Sequence, residues 1–368
     1  MKRFARDLAL PAAARQLRAL DRRNIVGDDP GVTHAGTAMV DWLARSQDAC
    51  QDGAVSEGFS LLDGWTGAST FSTAAALTRF HYAGSTDRVD KAAAWLTSQL
   101  GNNGEFASCP EALLALINLD LAASDRDFVI NGAKGLQASQ SVEGAWPNPT
   151  PSLGLSDDPC SYTVACVRAL VAVERVFPNA GFDDSALRGA IWLLGKIRRN
   201  GWMEGCNEHD QGAADVTAFG GVLQALNDVY GMTGDIRFLD TALLISWALV
   251  AVQMNDGRLA GRFDALWQPA VPWADLAGTA RVAACWLQLY EETGESAFAE
   301  AGRKANRFIR RTLILDDSVE VRGGVRAIYP VHQGDRRYLI SSVATALALQ
   351  SQEMERSMDI KTEVSRST

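Results

Sequence analysis

Acid-base chemistry needs groups that exchange protons near neutral pH beside groups that hold charge in place. Four stretches of this chain carry both. "LSDDPCSY" (155–162) supplies Asp157, Asp158 and Tyr162, and "CNEHDQGAAD" (206–215) supplies Glu208, His209, Asp210 and Asp215. "GRFDALWQPAVPW" (261–273) sets Arg262 and Asp264 beside Trp267 and Trp273. "RGGVRAIYPVHQGDRRY" (322–338) gathers Arg322, Arg326, Arg336 and Arg337 around Tyr329, His332 and Tyr338. These residue types suit sugars: aromatic rings stack on sugar faces, paired guanidinium N–H groups grip a carboxylate, and carboxyl, imidazole or phenol groups move protons. The catalytic candidates are therefore Asp157, Asp158, Tyr162, Glu208, His209, Asp264, His332 and Tyr338. The substrate-binding candidates are Trp65, Arg262, Trp267, Trp273, Arg322, Arg326, Arg336 and Arg337.

Each candidate also has a structural account. "SDDP" is an ordinary helix cap followed by proline in the first turn. The acidic and histidine residues of 206–215 fit a polar surface loop, the two tryptophans could pack a lid, and the arginines could pair with acidic rim residues. His34 and His81 sit beside or on helices and are expected to be satisfied locally. Trp42, Trp95, Trp192, Trp247 and Trp286 fall at apolar helical positions and are assigned to packing, while Trp65 and Trp146 lie in turns. Metal signals are weak: Cys206 and His209 form one Cys-x-x-His without two further ligands, and "DDSVE" (316–320) reads as a solvated turn. No dinucleotide or phosphate-loop fingerprint occurs, so the expectation is a reaction without metal or cofactor.

The bulk numbers narrow the class. Lys and Arg total 35 against 44 Asp and Glu, a net charge of −9, and a nucleic-acid surface would need a basic face. With 47% hydrophobic and 21% charged residues the 368-residue chain has material for a large core, and no linker divides it. Six cysteines are scattered without CxxC pairs, which reads as reduced thiols in a cytoplasmic protein. The basic N-terminal stretch lacks an apolar h-region and reads as an amphipathic helix within residues 1–30. No stretch approaches a membrane span.

The elements that must position these residues repeat. "DWLARSQDACQDG" (41–53), "AAWLTSQLGNNGEF" (93–106), "KGLQASQSVEGAW" (134–146), "IWLLGKIRRNGW" (191–202), "SWALVAVQMNDGRL" (246–259) and a degenerate "RFIRRTLILDDSVEVRGG" (307–324) are six copies of one unit. In most, an apolar helical stretch ends in a glycine turn. After each comes a second stretch rich in small residues: 70–84, 109–124, 160–177, 215–231, 273–294 and 338–354. Small residues permit close helix approach, as in helices packed on both sides. The spacing predicts an all-α (α/α)6 toroid over residues 31–355 and a disordered tail over 356–368. Trp-bearing helices stand outside, Ala-rich helices line the centre, and the long outer-to-inner loops collect on one rim.

The Gln-rich helix end followed by Gly and an aromatic, clearest in "SVEGAWPNP" and "LSDDPCSYTVACVRAL", resembles the QW repeat of the terpenoid cyclase/protein prenyltransferase superfamily. That resemblance implies an α/α toroid, and related rings serve sugar lyases, uronyl hydrolases and epimerases. "DGRLAGRFDALWQPAVPWADLAGTARVAACWLQLYEETGE" with "EVRGGVRAIYPV" resembles squalene-cyclase-like toroid proteins of bacterial polysaccharide-biosynthesis loci, although Ile340, Ser341 and Ser342 replace the aromatic pattern of that group. The D-x-D-D acid that the cyclase resemblance implies is absent; the acidic pairs are Asp28-Asp29, Asp157-Asp158, Asp183-Asp184 and Asp316-Asp317.

The leading expectation is an epimerase, lyase or hydrolase acting on a uronate-containing glycan by acid-base catalysis in the central cavity. Two alternatives stand beside it. A terpenoid cyclase-like enzyme with a relocated acid would line the cavity with aromatic and aliphatic groups, and a non-catalytic glycan-binding scaffold would lack an aligned acid and base. The partner in each sugar reading is a carbohydrate or other small molecule, with neither nucleic acid nor membrane span.

Overall fold

The structure is a computed structural model that describes residues 10–24, 26–100, 109–119, 123–147, 159–205, 212–316 and 318–367. Helix α1 (Ala12–Arg22) precedes six pairs. The outer helices are α2 (Val32–Asp48), α4 (Thr86–Gln99), α6 (Ala123–Ala138), α8 (Asp183–Leu194), α10 (Ile236–Val252) and α12 (Ser296–Thr312). The inner helices are α3 (Thr70–Tyr82), α5 (Pro110–Leu116), α7 (Pro159–Val176), α9 (Val216–Thr233), α11 (Leu276–Thr293) and α13 (Ser342–Ser367). Neighbouring inner helices pack together from α3 through to α13, and α13 packs back on α3, so the ring closes. Each of α3 to α11 packs on the outer helix that follows it, and α13 packs on α2.

The repeated turn has a shared mechanism. Gln140 Nε2 donates to Gly144 O (2.8 Å) and to Ser185 O of the next outer helix (2.9 Å). Gln47 and Gln253 make the corresponding pairs with Gly53 and Arg88, and with Gly257 and Ala301. One side-chain amide thus closes its own turn and ties it to the following hairpin. Gly144 has φ +99°, and a Cβ there would lie 2.6 Å from Arg188 O; the left-handed backbone and the close approach together demand glycine. Trp146 lies fully buried across this turn, its Nε1 donating to Leu136 O at 2.7 Å.

Three departures from the periodicity have local causes. The inner stretch expected over 109–124 stops at Leu116, where Asn118 Nδ2 turns back to Leu114 O (2.8 Å), the local bonding by which Asn competes with helix. The tail expected to be disordered continues α13 to Ser367. Its Met358 is buried with Leu287 and Ala299, while Asp359 pairs with Arg303 at 2.7 Å and Lys361 with Glu291 at 2.5 Å. Short strands also appear in the outer-to-inner loops. β1 (Gly58–Ser60) pairs with β2 (Gly64–Trp65) and β7 (Leu339–Ser341), β3 (Ala213–Asp215) with β4 (Arg262–Asp264), and β5 (Ala274–Asp275) with β6 (Ile328–Tyr329), all antiparallel. They stitch the loops before α13 and α3, before α9 and α11, and before α11 and α13. Among the described residues no helix is long and apolar enough to cross a membrane.

Candidate active site in the hollow of the ring

The loops on which most candidate residues lie mainly hold the rim together. Asp157, Asp158, Glu208 and His209 lie outside the described residues. Trp267 is not an exposed stacking platform: it is buried against Phe219 (4.8 Å between centroids) and Phe263, with Nε1 donating to Asn200 O at 2.9 Å. Asp264 caps its own turn, accepting from the Leu266 and Gln268 N–H groups. Trp65 packs on Phe59 and Trp42. Trp273 lies against Gly261 and Gly334, beneath the Arg262 guanidinium at 5.6 Å. Arg262 itself bonds Asp215 at 2.7 Å.

The expected arginine clamp is dispersed. Arg326 is buried and paired with Asp21 of α1, whose other oxygen accepts the Val331 N–H at 2.7 Å. Arg322, Arg336 and Arg337 are exposed. Tyr338 is 6% exposed within the core around α2 and α13, and His332 is half-buried in the loop between β6 and β7. The physical reason is α1: its buried Asp21 needs a cation, and Arg326 supplies it.

The charges that do meet come from the inner helices themselves. Glu111 opens α5 and Tyr162 opens α7; Arg168 lies farther along α7, Asp228 and Gln224 on α9, and Arg281 on α11. Arg281 can lie inside the ring because α9 carries Gly220 and Gly221 opposite it: a Cβ on Gly220 would stand 2.8 Å from Arg281 Cγ, and one on Gly221 3.2 Å from Nη1. Paired glycines in a helix interior cost stability, and here they make room for a guanidinium. The Arg281 Nε has no hydrogen-bond partner among the described residues. Burial, then the nearby Arg168, lowers its pKa to about 10, with Glu111 and Asp275 opposing.

Glu111 is held in the opposite sense. Burial raises its pKa, opposed by its own backbone, by Arg281, by the Cys109 thiol 3.7 Å from Oε2 and by Arg168. Burial likewise raises Cys109, Cys166 and Tyr162, the last two sharing a hydrogen bond, and raises Cys285 to about 12. At neutral pH these thiols and the phenol are protonated donors. Deeper in the ring Arg168 Nε bonds Asp228 Oδ2 at 2.9 Å. Beside that pair lies a cavity of about 110 Å³ bounded by Gln224, Gln288, Gln350 and Cys285. A carboxyl group biased towards its protonated form, set beside a guanidinium, can donate or accept a proton while the cation steadies developing negative charge. Among the described residues no cluster of His, Cys, Asp and Glu is arranged to hold a metal ion.

Sequence reasoning missed Glu111, Arg168, Asp228 and Arg281. The signal was there: each is a lone charge in an Ala-rich inner stretch, such as "CPEALLAL" or "GTARVAACW". Charges almost never enter such a face without a partner or a task.

No protein-family model matches the chain, and no curated protein matches it in sequence. Solved structures do match in shape. The unsaturated glucuronyl hydrolase of Bacillus sp. GL1, responsible for glycosaminoglycan degradation, superposes with a TM-score of 0.68 at 13% identity, covering 88% of this chain and 96% of its own. The cellobiose 2-epimerase of Bacillus thermoamylovorans gives 0.69 at 12%, covering 87% and 96%. An α-1,6-mannanase of Salegentibacter sp. gives 0.64 at 11%, covering 89% and 99%. The chain shares the α/α-toroid fold of these structures, and identities this low carry the fold alone.

Proposed function

We propose that the chain is a carbohydrate-active enzyme whose reacting centre lies in the hollow, with Glu111 as the proton-transferring group and Arg281 receiving the carboxylate of a uronate residue. The observation that carries this reading is Arg281, a guanidinium inside the ring with an unpartnered Nε and a glycine shelf cut to fit it. A carboxylate-bearing sugar supplies the missing anion, and its α-proton is the one whose removal creates charge beside that cation. Glu111 would exchange that proton in epimerisation or elimination, or protonate a leaving oxygen in hydrolysis. Tyr162, the rim residues Arg262 and Trp273, and the loop residues Asp157, Asp158, Glu208 and His209 are proposed to complete the mouth. The shared fold of glycan-processing enzymes and the likeness to polysaccharide-locus proteins support a glycan substrate. The scattered cysteines support a cytoplasmic setting.

The alternatives fit less well. A terpenoid cyclase-like cavity would be aromatic and aliphatic, whereas the one beside Arg168 and Asp228 is lined mainly by Arg, Asp and Gln. A pure scaffold has no use for a carboxyl group biased towards its protonated form. The test is incubation with uronate-containing oligosaccharides in deuterated water, followed by mass spectrometry and NMR. Exchange at the carbon beside the carboxylate, an epimer or a cleaved product is expected from the wild type and not from Glu111→Gln. Unchanged substrates across glucuronate, galacturonate and mannuronate series, with no exchange, would overturn the reading.

A further inference from the structure

The end of the ring opposite the stitched loops is also built. Its connections are short, and there α13 runs past its neighbours. Between α2, the end of α3 and this extension lies a groove of about 870 Å³, within the size range of small-molecule sites. Gln350 and Met354 form part of its wall and part of the wall of the 110 Å³ cavity beside Arg168 and Asp228. The two spaces therefore adjoin across these side chains.

The lining indicates what would enter. In the inner cavity the Arg168–Asp228 pair cancels its own charge, and Gln224, Gln288 and Gln350 add amides. Gln224 is only 6% exposed, and its Oε1 has no partner among the described residues. A buried amide oxygen without a donor is costly; a ligand hydroxyl would satisfy it and could accept in turn from an amide or guanidinium. The cavity has room for roughly three or four water-sized groups, too little for a sugar ring but enough for hydroxyls projecting from one. Outside, Tyr82 presents a ring 71% exposed. Arg79, itself buried and paired with Glu353, braces that ring from 4.8 Å. The groove balances Asp41, Glu291 and Glu353 against Arg79, Arg356 and Lys361. A neutral polyhydroxyl chain fits such a surface better than an ion does.

We propose that the short-loop end of the ring is a second carbohydrate site, which takes the end of a neutral oligosaccharide over Tyr82 and directs its terminal hydroxyls past Gln350 and Met354 to Gln224 and Asp228. The α13 extension is one wall of this site, which gives its ordered Met358, Asp359 and Lys361 a purpose. The proposal rests on the glycan reading above but does not use Glu111 or Arg281.

The test uses the full chain carrying Glu111→Gln, so that turnover does not interfere, with cellotetraose and α-1,6-mannotetraose as probes in saturation-transfer NMR and calorimetry. At least one should bind, and Tyr82→Ala or Gln224→Leu added to Glu111→Gln should weaken it tenfold or more. Tyr82 is exposed, and Gln224→Leu replaces an unsatisfied amide with an apolar group of similar size, so both variants should fold; circular dichroism checks this. If neither probe binds, or both added substitutions leave binding unchanged, the second site does not exist. Retained exchange or cleavage of uronates by wild type alongside that result would leave the central reading standing while this one falls.

Discussion

Two buried arginines behave in opposite ways. Arg326, under α1, is paired with Asp21, while Asp21 also receives the Val331 N–H and Tyr329 bonds Asn24 of the same segment at 3.0 Å. Both arginines leave Nε unpartnered, but Arg281, facing α9, also makes no ion pair among the described residues and has a depressed pKa. The first is a clasp that fastens the N-terminal helix to the last loop. The second is a charge kept without a neutralising contact, which is how a site for an anion looks before the anion arrives. A third buried cation, Arg310, sides with the first: it bonds Asp29 at 2.7 Å, Gln352 at 2.6 Å and Glu355 at 3.1 Å.

This contrast can be broken in order of effect. Arg326→Met should destabilise the fold by about 3–5 kcal/mol, because Asp21 is left buried and unpaired; adding Asp21→Leu should recover most of that loss, and denaturant melts of the two variants decide it. Arg281→Met should do the reverse, leaving stability unchanged or raising it by roughly 1 kcal/mol while turnover disappears. If it lost as much stability as Arg326→Met, Arg281 would be structural. Gly220→Ala is a gentler probe: the methyl group should push Arg281 off its shelf and lower turnover about tenfold, while better helix propensity contributes up to ~1 kcal/mol.

The smallest effect concerns pH. Because burial raises the Glu111 pKa, its contribution is fully present below the ordinary carboxylate range and is lost as pH rises through the raised value. Melting temperatures of the wild type should therefore fall over that window relative to Glu111→Gln. Parallel curves for the two proteins would show that Glu111 titrates normally.

These comparisons also show what could be read from sequence. The ring was legible because its signal is periodic: Gln47, Gln140 and Gln253 recur before Gly53, Gly144 and Gly257, and each pair makes the same hydrogen bonds. The two- and three-residue strands carry no period and left no trace. The site was largely illegible for a different reason. Polar loop residues such as Asp264 and Arg326 look the same in sequence whether they cap a turn, fasten a helix or meet a substrate, and only distance separates these uses. Glu111 and Arg281, 170 positions apart, read as blemishes on apolar helices until ring closure brought them within electrostatic reach.

The most direct measurement is calorimetric titration of the wild type and Arg281→Gln with D-glucuronate and with D-glucose. Wild type should prefer glucuronate by at least tenfold, and Arg281→Gln should erase that preference. Equal affinity of the wild type for the two sugars, or a preference that survives the substitution, would contradict the assignment of Arg281 as the group awaiting a carboxylate.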